Sequence, residues 1–166
     1  MKPGYCVEPL GAHDRAGFSC GSVPLDRYLR EQASQDVKRL VAGCFVALDE
    51  ARAIAGYYTL SAASVPAIEL PDAMLKRLPR HPVLPAALVG RLAVDIRFRG
   101  MGLGSALLAD AAKRVLSGEL TAFAMIVDAK DAQAASFYAR LGFMSFASRK
   151  NSYFMPPASM AKAAKT

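Results

Sequence analysis

Seven consecutive residues carry the clearest chemical signal in this sequence: Arg99, Gly100, Met101, Gly102, Leu103, Gly104 and Ser105. They stand between an apolar run at residues 88–96 and a segment at 102–116. In that segment Leu103, Ala106, Leu107, Asp110, Ala111 and Arg114 recur at helical spacing. Three glycines at alternate positions serve no packing purpose; they permit unusual φ values and close backbone approach. At a helix start their N–H groups point outward with the positive end of the helix dipole, an arrangement that suits a phosphate or pyrophosphate. Arg97 and Arg99 add positive charge at the same place. A plain strand-to-helix turn needs one glycine, not three.

The kind of phosphate ligand is narrowed by what the loop lacks. A nucleoside-triphosphate P-loop ends in Gly-Lys-Ser/Thr, and this segment has no lysine. A dinucleotide fingerprint needs GxGxxG, but the third glycine position falls on Ser105 or Leu107, depending on where the count starts. Asp128 ends the next strand-like run at about the distance where that fold places its ribose-binding acid, so a nicotinamide enzyme stays open on the loop alone.

A different pattern fits better. Arg99-x-x-Gly102-x-Gly104 resembles the R/Q-x-x-G-x-G/A loop of the GNAT acetyltransferase superfamily. Downstream, Asp131-x-x-Ala134-x-x-Phe137-Tyr138 and then Leu141-Gly142-Phe143 resemble that superfamily's second motif, with Asp131 where asparagine is usual. The order and the separation of about 30 residues also match. Further stretches look like the GNAT toxins of bacterial toxin–antitoxin pairs: FSCG at 18–21, GYYTLS at 56–61, LPRHP at 78–82, GRLAVD at 90–95 and SFYARLGF at 136–143.

The resemblance implies an acetyl-CoA-dependent N-acetyltransferase that acetylates the α-amino group of aminoacyl-tRNA and so blocks translation. It implies that residues 99–105 grip the pyrophosphate of coenzyme A. Leu92, Ala93 and Val94 would offer backbone groups to the acetyl carbonyl and pantetheine arm, and Tyr138 would be the general acid for the departing thiolate. Expected partners are the charged tRNA, an antitoxin of ribbon-helix-helix type, and a second copy of the chain in a homodimer. The implied fold is a mixed, mostly antiparallel sheet splayed at the acetyl-CoA strand, with helices on both faces. Acetylation of a small amine or a protein N-terminus is the alternative.

The chemistry agrees with the residues present. An α-amino group has a pKa of about 7.7–8.0, lowered further when the neighbouring carboxyl is esterified, so a strong general base is dispensable. None is evident; His81, in a loop between Arg80 and Pro82, is a weak candidate. A tyrosine can pack at one end and donate its O–H at the other. Arg91, a charge inside an apolar strand, must face a cavity, a partner or an acid such as Asp95. Arg91, Arg77 and Arg80 are the candidate acceptor-binding residues.

The elements that must hold these residues follow from periodicity. A short strand is expected at 5–10, and a helix begins near Pro24 with Leu25, Tyr28, Leu29, Ala33 and Val37 on one face. Strands at 43–49 and 53–65 read as a hairpin, and 66–85, with five prolines, reads as a loop-rich connection with a brief helical stretch near 73–78. Then come a strand at 88–96, the helix at 102–116, a buried strand at 122–127 and a helix at 132–140. That last helix is capped by Asp131 and ended by Gly142, and closing strands follow at 143–146 and 152–155. The sum is a mixed α/β sheet with helices on both sides.

Composition bounds the rest. The 166 residues are 53% hydrophobic and 21% charged, enough for one cored domain, taken as residues 1–155, with a flexible basic tail at 156–166. The net charge of +7 suits an anionic partner. Three cysteines without CxxC spacing and two histidines argue against a metal site. The longest uncharged run, residues 53–68, is too short to span a membrane and is broken by Pro66. Lys2, Pro3, Gly4 and Glu8 stand where a secretory signal would be apolar, so the cytoplasm is the expected location.

Overall fold

The computed structural model of the chain describes residues 4–78 and 81–165. Seven strands form a sheet in the order β1-β2-β3-β4-β5-β7-β6: β1 Cys6–Pro9, β2 Gly43–Leu48, β3 Ile54–Pro66, β4 Val83–Val94, β5 Ala124–Asp128, β6 Met144–Ser145 and β7 Ser152–Met155. The ladders β1–β2, β2–β3, β5–β7 and β6–β7 are antiparallel, and β4–β5 is parallel. The mixed, mostly antiparallel sheet expected from the sequence is therefore present. The chain divides into two compact units, one of residues 4–61 and 90–111, the other of 62–89 and 112–165.

In the first unit, β2 and β3 pair from Gly43↔Leu60 to Ala47↔Gly56, and a bulge at Ala47/Leu48 then brings Leu48 opposite Ile54. Consecutive residues of β3 point to opposite faces. Tyr57 stacks on Tyr28 at 6.3 Å and donates its hydroxyl to the Leu25 carbonyl at 2.7 Å. Tyr58 points the other way and donates to Asp110 Oδ2 at 2.7 Å. Helices thus cover both faces of this unit. On the Tyr57 side lie α1 Val23–Arg27, a π-helical segment Tyr28–Gln32 and α2 Ala33–Lys38; on the Tyr58 side lies α4 Leu103–Leu116.

The sequence predicts one regular helix after Pro24; the structure inserts the π turn, closed by Ala33 N–H to the Tyr28 carbonyl. That wider turn lets Tyr28, Leu29 and Ala33 all enter one core with Phe18, Val46 and Tyr57. Each large apolar side chain so buried contributes about 1.5–3 kcal/mol.

In the second unit, β5 runs beside Ala86–Val89 of β4 and against β7 from Met125↔Met155 to Asp128↔Ser152. Leu70, Leu84, Ile126, Phe146 and Phe154 form its core. One segment carries the brief helix expected of it near residues 73–78, and two others differ from the sequence reading. The proline-rich connection contains a 3-10 turn, Ala67–Glu69, and a short helix α3, Asp72–Leu75. Strand β4 begins earlier than expected, at Val83, with the Pro85 carbonyl accepting Phe123 N–H at 2.8 Å. The segment expected to be a frayed tail instead forms helix α6, Pro157–Ala164, started by prolines and anchored by Met160, which is 1% exposed. Helix α5, Ala132–Arg140, begins and ends where the sequence places it.

Candidate functional site

The loop that joins β4 to α4 is built from within the first unit. Asp95, 1% exposed, accepts the Ser19 N–H at 3.1 Å and the Arg97 N–H at 2.9 Å, which caps the 3-10 turn Ile96–Phe98. The Arg97 guanidinium grips the same carboxylate at two points, Nε to Oδ1 at 2.9 Å and Nη2 to Oδ2 at 3.1 Å. Burial alone would raise the Asp95 carboxyl, but the hydrogen bonds from Arg97 and Ser19 outweigh it and hold the pKa below the usual value. Asp95 is therefore committed to Arg97.

Beyond this turn the chain reverses through Gly100 at φ +75° and Gly102 at φ +79°, both left-handed. A Cβ at either glycine would meet nothing within 4 Å. Crowding by the protein does not demand these glycines; backbone conformation does, and the space before them is open. Helix α4 starts at Leu103, and Ala106 N–H returns to the Gly102 carbonyl at 3.1 Å. The N–H groups of Leu103, Gly104 and Ser105 have no intrahelical acceptor. The first turn carries no acidic residue, so the positive end of the dipole is not neutralised there. Met101 and Arg99 are exposed. The residues present fit a pyrophosphate.

Two glycines outside the loop shape it, and the sequence reading assigned neither a role. Gly56 on β3 lies where a Cβ would be 2.9 Å from the Ala93 carbonyl oxygen and 3.1 Å from Leu107 Cδ1. Gly21, at φ +86°, faces the Arg99 guanidinium. Both sit in short motifs of the sequence, but only the folded distances reveal what they do. Along β4, Ala93 is buried and Leu92 and Val94 are half-buried. The parallel ladder to β5 stops at Val89↔Val127 while β4 runs on to Val94, so the backbone of Leu92, Ala93 and Val94 lies outside that ladder.

Arg91 does not pair with Asp95. Its guanidinium carbon sits 3.6 Å from the centroid of the Tyr28 ring, a cation–π contact that holds the group flat. The Tyr28 hydroxyl donates to Asp36 Oδ2 at 2.7 Å. Burial first, and then the Asp36 bond, push that hydroxyl far above the ordinary tyrosine range.

Tyr138 belongs to the second unit. Asp131 caps α5 through Oδ1, which accepts Ala134 N–H at 2.8 Å. Gly142 at φ +103° ends the helix, and Phe143 N–H returns to the Tyr138 carbonyl at 3.1 Å. The Tyr138 ring lies 5.4 Å from both the Phe137 and Phe143 rings and is 8% exposed. Burial, and secondarily the Asp128 carboxylate, raise the hydroxyl pKa, so at neutral pH the group holds its proton. Ser152 donates to Asp128 Oδ1. Arg77 is exposed in the turn after α3. Arg80 lies outside the described residues.

Among the described residues, no group of three or more His, Cys, Asp or Glu side chains could hold a metal ion, and no helix is long and apolar enough to cross a membrane. Cys6, Cys20 and Cys44 are free thiols, and burial pushes Cys44 up to about 12.

Comparison with known proteins places these features in company. The sequence pattern of the acetyltransferase (GNAT) domain family matches residues 41–145. The tRNA-acetylating toxin of Mycobacterium tuberculosis is 36% identical over 134 residues, covering 80% of this chain and 79% of the relative. Among solved structures, AtaT complexed with acetyl-methionyl-tRNAfMet is similar with a TM-score of 0.87 at 27% identity, covering 95% of this chain and 98% of that one. AtaTR bound with AcCoA gives a TM-score of 0.81 at 25% identity, covering 96% and 97%.

Proposed function

The chain belongs to the acetyltransferase (GNAT) domain family, and from that premise we propose that it is a toxin that moves an acetyl group from acetyl-CoA to the α-amino group of an aminoacyl-tRNA. The observation that carries this reading is the 36% identity, across four-fifths of the chain, to a tRNA-acetylating toxin. The open, left-handed turn at Gly100 and Gly102 before α4 supports the donor half of it.

Acetyl-CoA supplies a thioester-activated acetyl group. Arg99, Gly100, Met101, Gly102, Leu103, Gly104 and Ser105 hold its pyrophosphate through backbone N–H groups, the helix dipole and the Arg99 charge. The backbone of Leu92, Ala93 and Val94 aligns the pantetheine arm and the acetyl carbonyl. The Tyr138 hydroxyl, kept protonated by burial, donates its proton to the departing sulfur. The acceptor amine needs no strong base, since esterification lowers an α-amino pKa below its usual value of about 7.7–8.0 and leaves a substantial uncharged fraction near neutral pH. Arg91, Arg77 and Arg80 contact the acceptor, and the net charge of +7 favours its phosphates.

An aminoacyl-tRNA whose α-amino group is acetylated has no free amine with which to take up a growing peptide, so the product cannot be used for elongation and translation halts. A separate antitoxin of ribbon-helix-helix type restrains the enzyme, the working form is a homodimer, and the site of action is the cytoplasm. The test is a cell-free translation reaction. Protein plus acetyl-CoA should stop synthesis, and an esterase that cleaves only N-blocked aminoacyl-tRNA, added with fresh synthetase, should restart it. Arrest that such an esterase leaves unrelieved would count against the acceptor named here.

A further inference from the structure

Resting on the reading of residues 99–105 as the loop that holds the donor's pyrophosphate, we propose that the Cys20 carbonyl and Gly21 form a seat for Arg99 that sets the loop's affinity for that end of the donor. Arg99 Nη2 donates to the Cys20 carbonyl. Gly21 stands at φ +86°, and a Cβ there would lie 2.6 Å from the same nitrogen. Glycine suits the left-handed backbone, and a Cβ there would displace the Arg99 guanidinium from the carbonyl.

The seat is itself fixed from below. Cys20 N–H donates to Asp26 Oδ1 at 2.9 Å, Ser19 N–H to Asp95 Oδ2 at 3.1 Å, and Ile96 N–H to the Ser19 carbonyl at 2.9 Å. Asp26 and Asp95 are 9% and 1% exposed, so these bonds are shielded from water. Tyr5 adds a second clasp, with its ring edge-on to Phe98 at 5.9 Å and its hydroxyl 3.8 Å from Met101 Sδ. A guanidinium has five N–H donors, and committing one to a rigid carbonyl orients the others for an anion. Ordering the side chain before binding removes a cost that binding would otherwise carry. Gly21 and Cys20 are therefore positioning residues that act through Arg99.

The test is binding of CoA, and separately of pantetheine, which lacks the pyrophosphate, with no acceptor present. Arg99→Ala should weaken CoA and leave pantetheine unchanged. Gly21→Asn adds a Cβ while tolerating the left-handed backbone better than alanine. It should weaken CoA on the order of tenfold, the lower range for a hydrogen bond to a charged group, with pantetheine unaffected. Gly21→Ala should do the same. In the Arg99→Ala background, Gly21→Asn should cause no further loss. If Arg99→Ala leaves CoA affinity intact, the loop reading and the seat both fall. If Arg99→Ala weakens CoA but Gly21→Asn does not, or weakens CoA and pantetheine alike, the seat alone is overturned.

Discussion

Gly56 on β3 and the Ala93 carbonyl on β4 approach so closely that a Cβ on Gly56 would stand 2.9 Å from the carbonyl oxygen. The same Cβ would press Leu107 Cδ1 and Leu103 Cδ2 at 3.1 and 3.3 Å, so this glycine sets how tightly the start of α4 lies on the strands. A backbone oxygen cannot swing aside as a side chain can. Gly56→Ala is expected to destabilise the protein by about 1–3 kcal/mol, lowering its melting temperature by roughly 2–4 °C per kcal/mol. It should also raise the KM for acetyl-CoA, because the helix N-terminus shifts. Thermal melts and donor titrations check both, and a variant with wild-type values would show that the strands yield.

Tyr138→Phe removes a hydroxyl and little else, since the ring keeps its contacts with Phe137 and Phe143. The expected loss in kcat is about 10²–10⁴-fold, the usual reach of a positioned acid, with CoA binding unchanged. Full turnover in this variant would mean that another group or water protonates the thiolate.

The same hydroxyl should leave a mark on the pH profile. It serves as an acid only while protonated, and its pKa lies above the ordinary tyrosine range. Activity should therefore persist to alkaline pH, falling only above about pH 10. Asp128→Asn removes the lesser of the two causes and keeps the larger, burial. The alkaline fall should move to lower pH by a part of the shift, and an unmoved limb would mean that Asp128 does not act on Tyr138.

Asp95 gives a stability signature of opposite sense. Its folded carboxyl pKa is depressed, so the ionised form is favoured by folding. The stabilisation is present above the unfolded pKa of about 3.9 and is lost as pH falls through the lower folded value. Asp95→Asn is expected to cost about 1–3 kcal/mol at pH 7, and urea unfolding should show that gap closing as the pH falls below the unfolded value. A gap independent of pH would assign the loss to packing.

Much of this architecture is legible in the sequence where one residue type has one conformational use. Gly100 and Gly102 adopt the left-handed turn that their spacing announces, Asp131 caps α5, and Gly142 ends it. What is not legible depends on distance in the chain. Arg91 rests on Tyr28, 63 positions earlier, because Arg97 has already taken Asp95. Nothing in a strand of apolar residues announces that exchange. The start of β4 is hidden because Pro82 and Pro85 read as breakers, yet the Pro85 carbonyl still accepts a bond from Phe123. Helix α6 is hidden because a single buried methionine makes no periodic stripe. The seat at Gly21 appears only when residues 18–21 and 95–99 are folded together.

The most direct measurement is transfer of label from radioactive acetyl-CoA to total bacterial tRNA, charged and deacylated in parallel. Aminoacyl-tRNA acetylation predicts label only in the charged sample, released by mild alkaline deacylation as an N-acetylated amino acid. Equal label in both samples would place the acetyl group on the nucleic acid itself. No label in either, with CoA still bound, would contradict the assignment and turn the search to a small amine or a protein N-terminus.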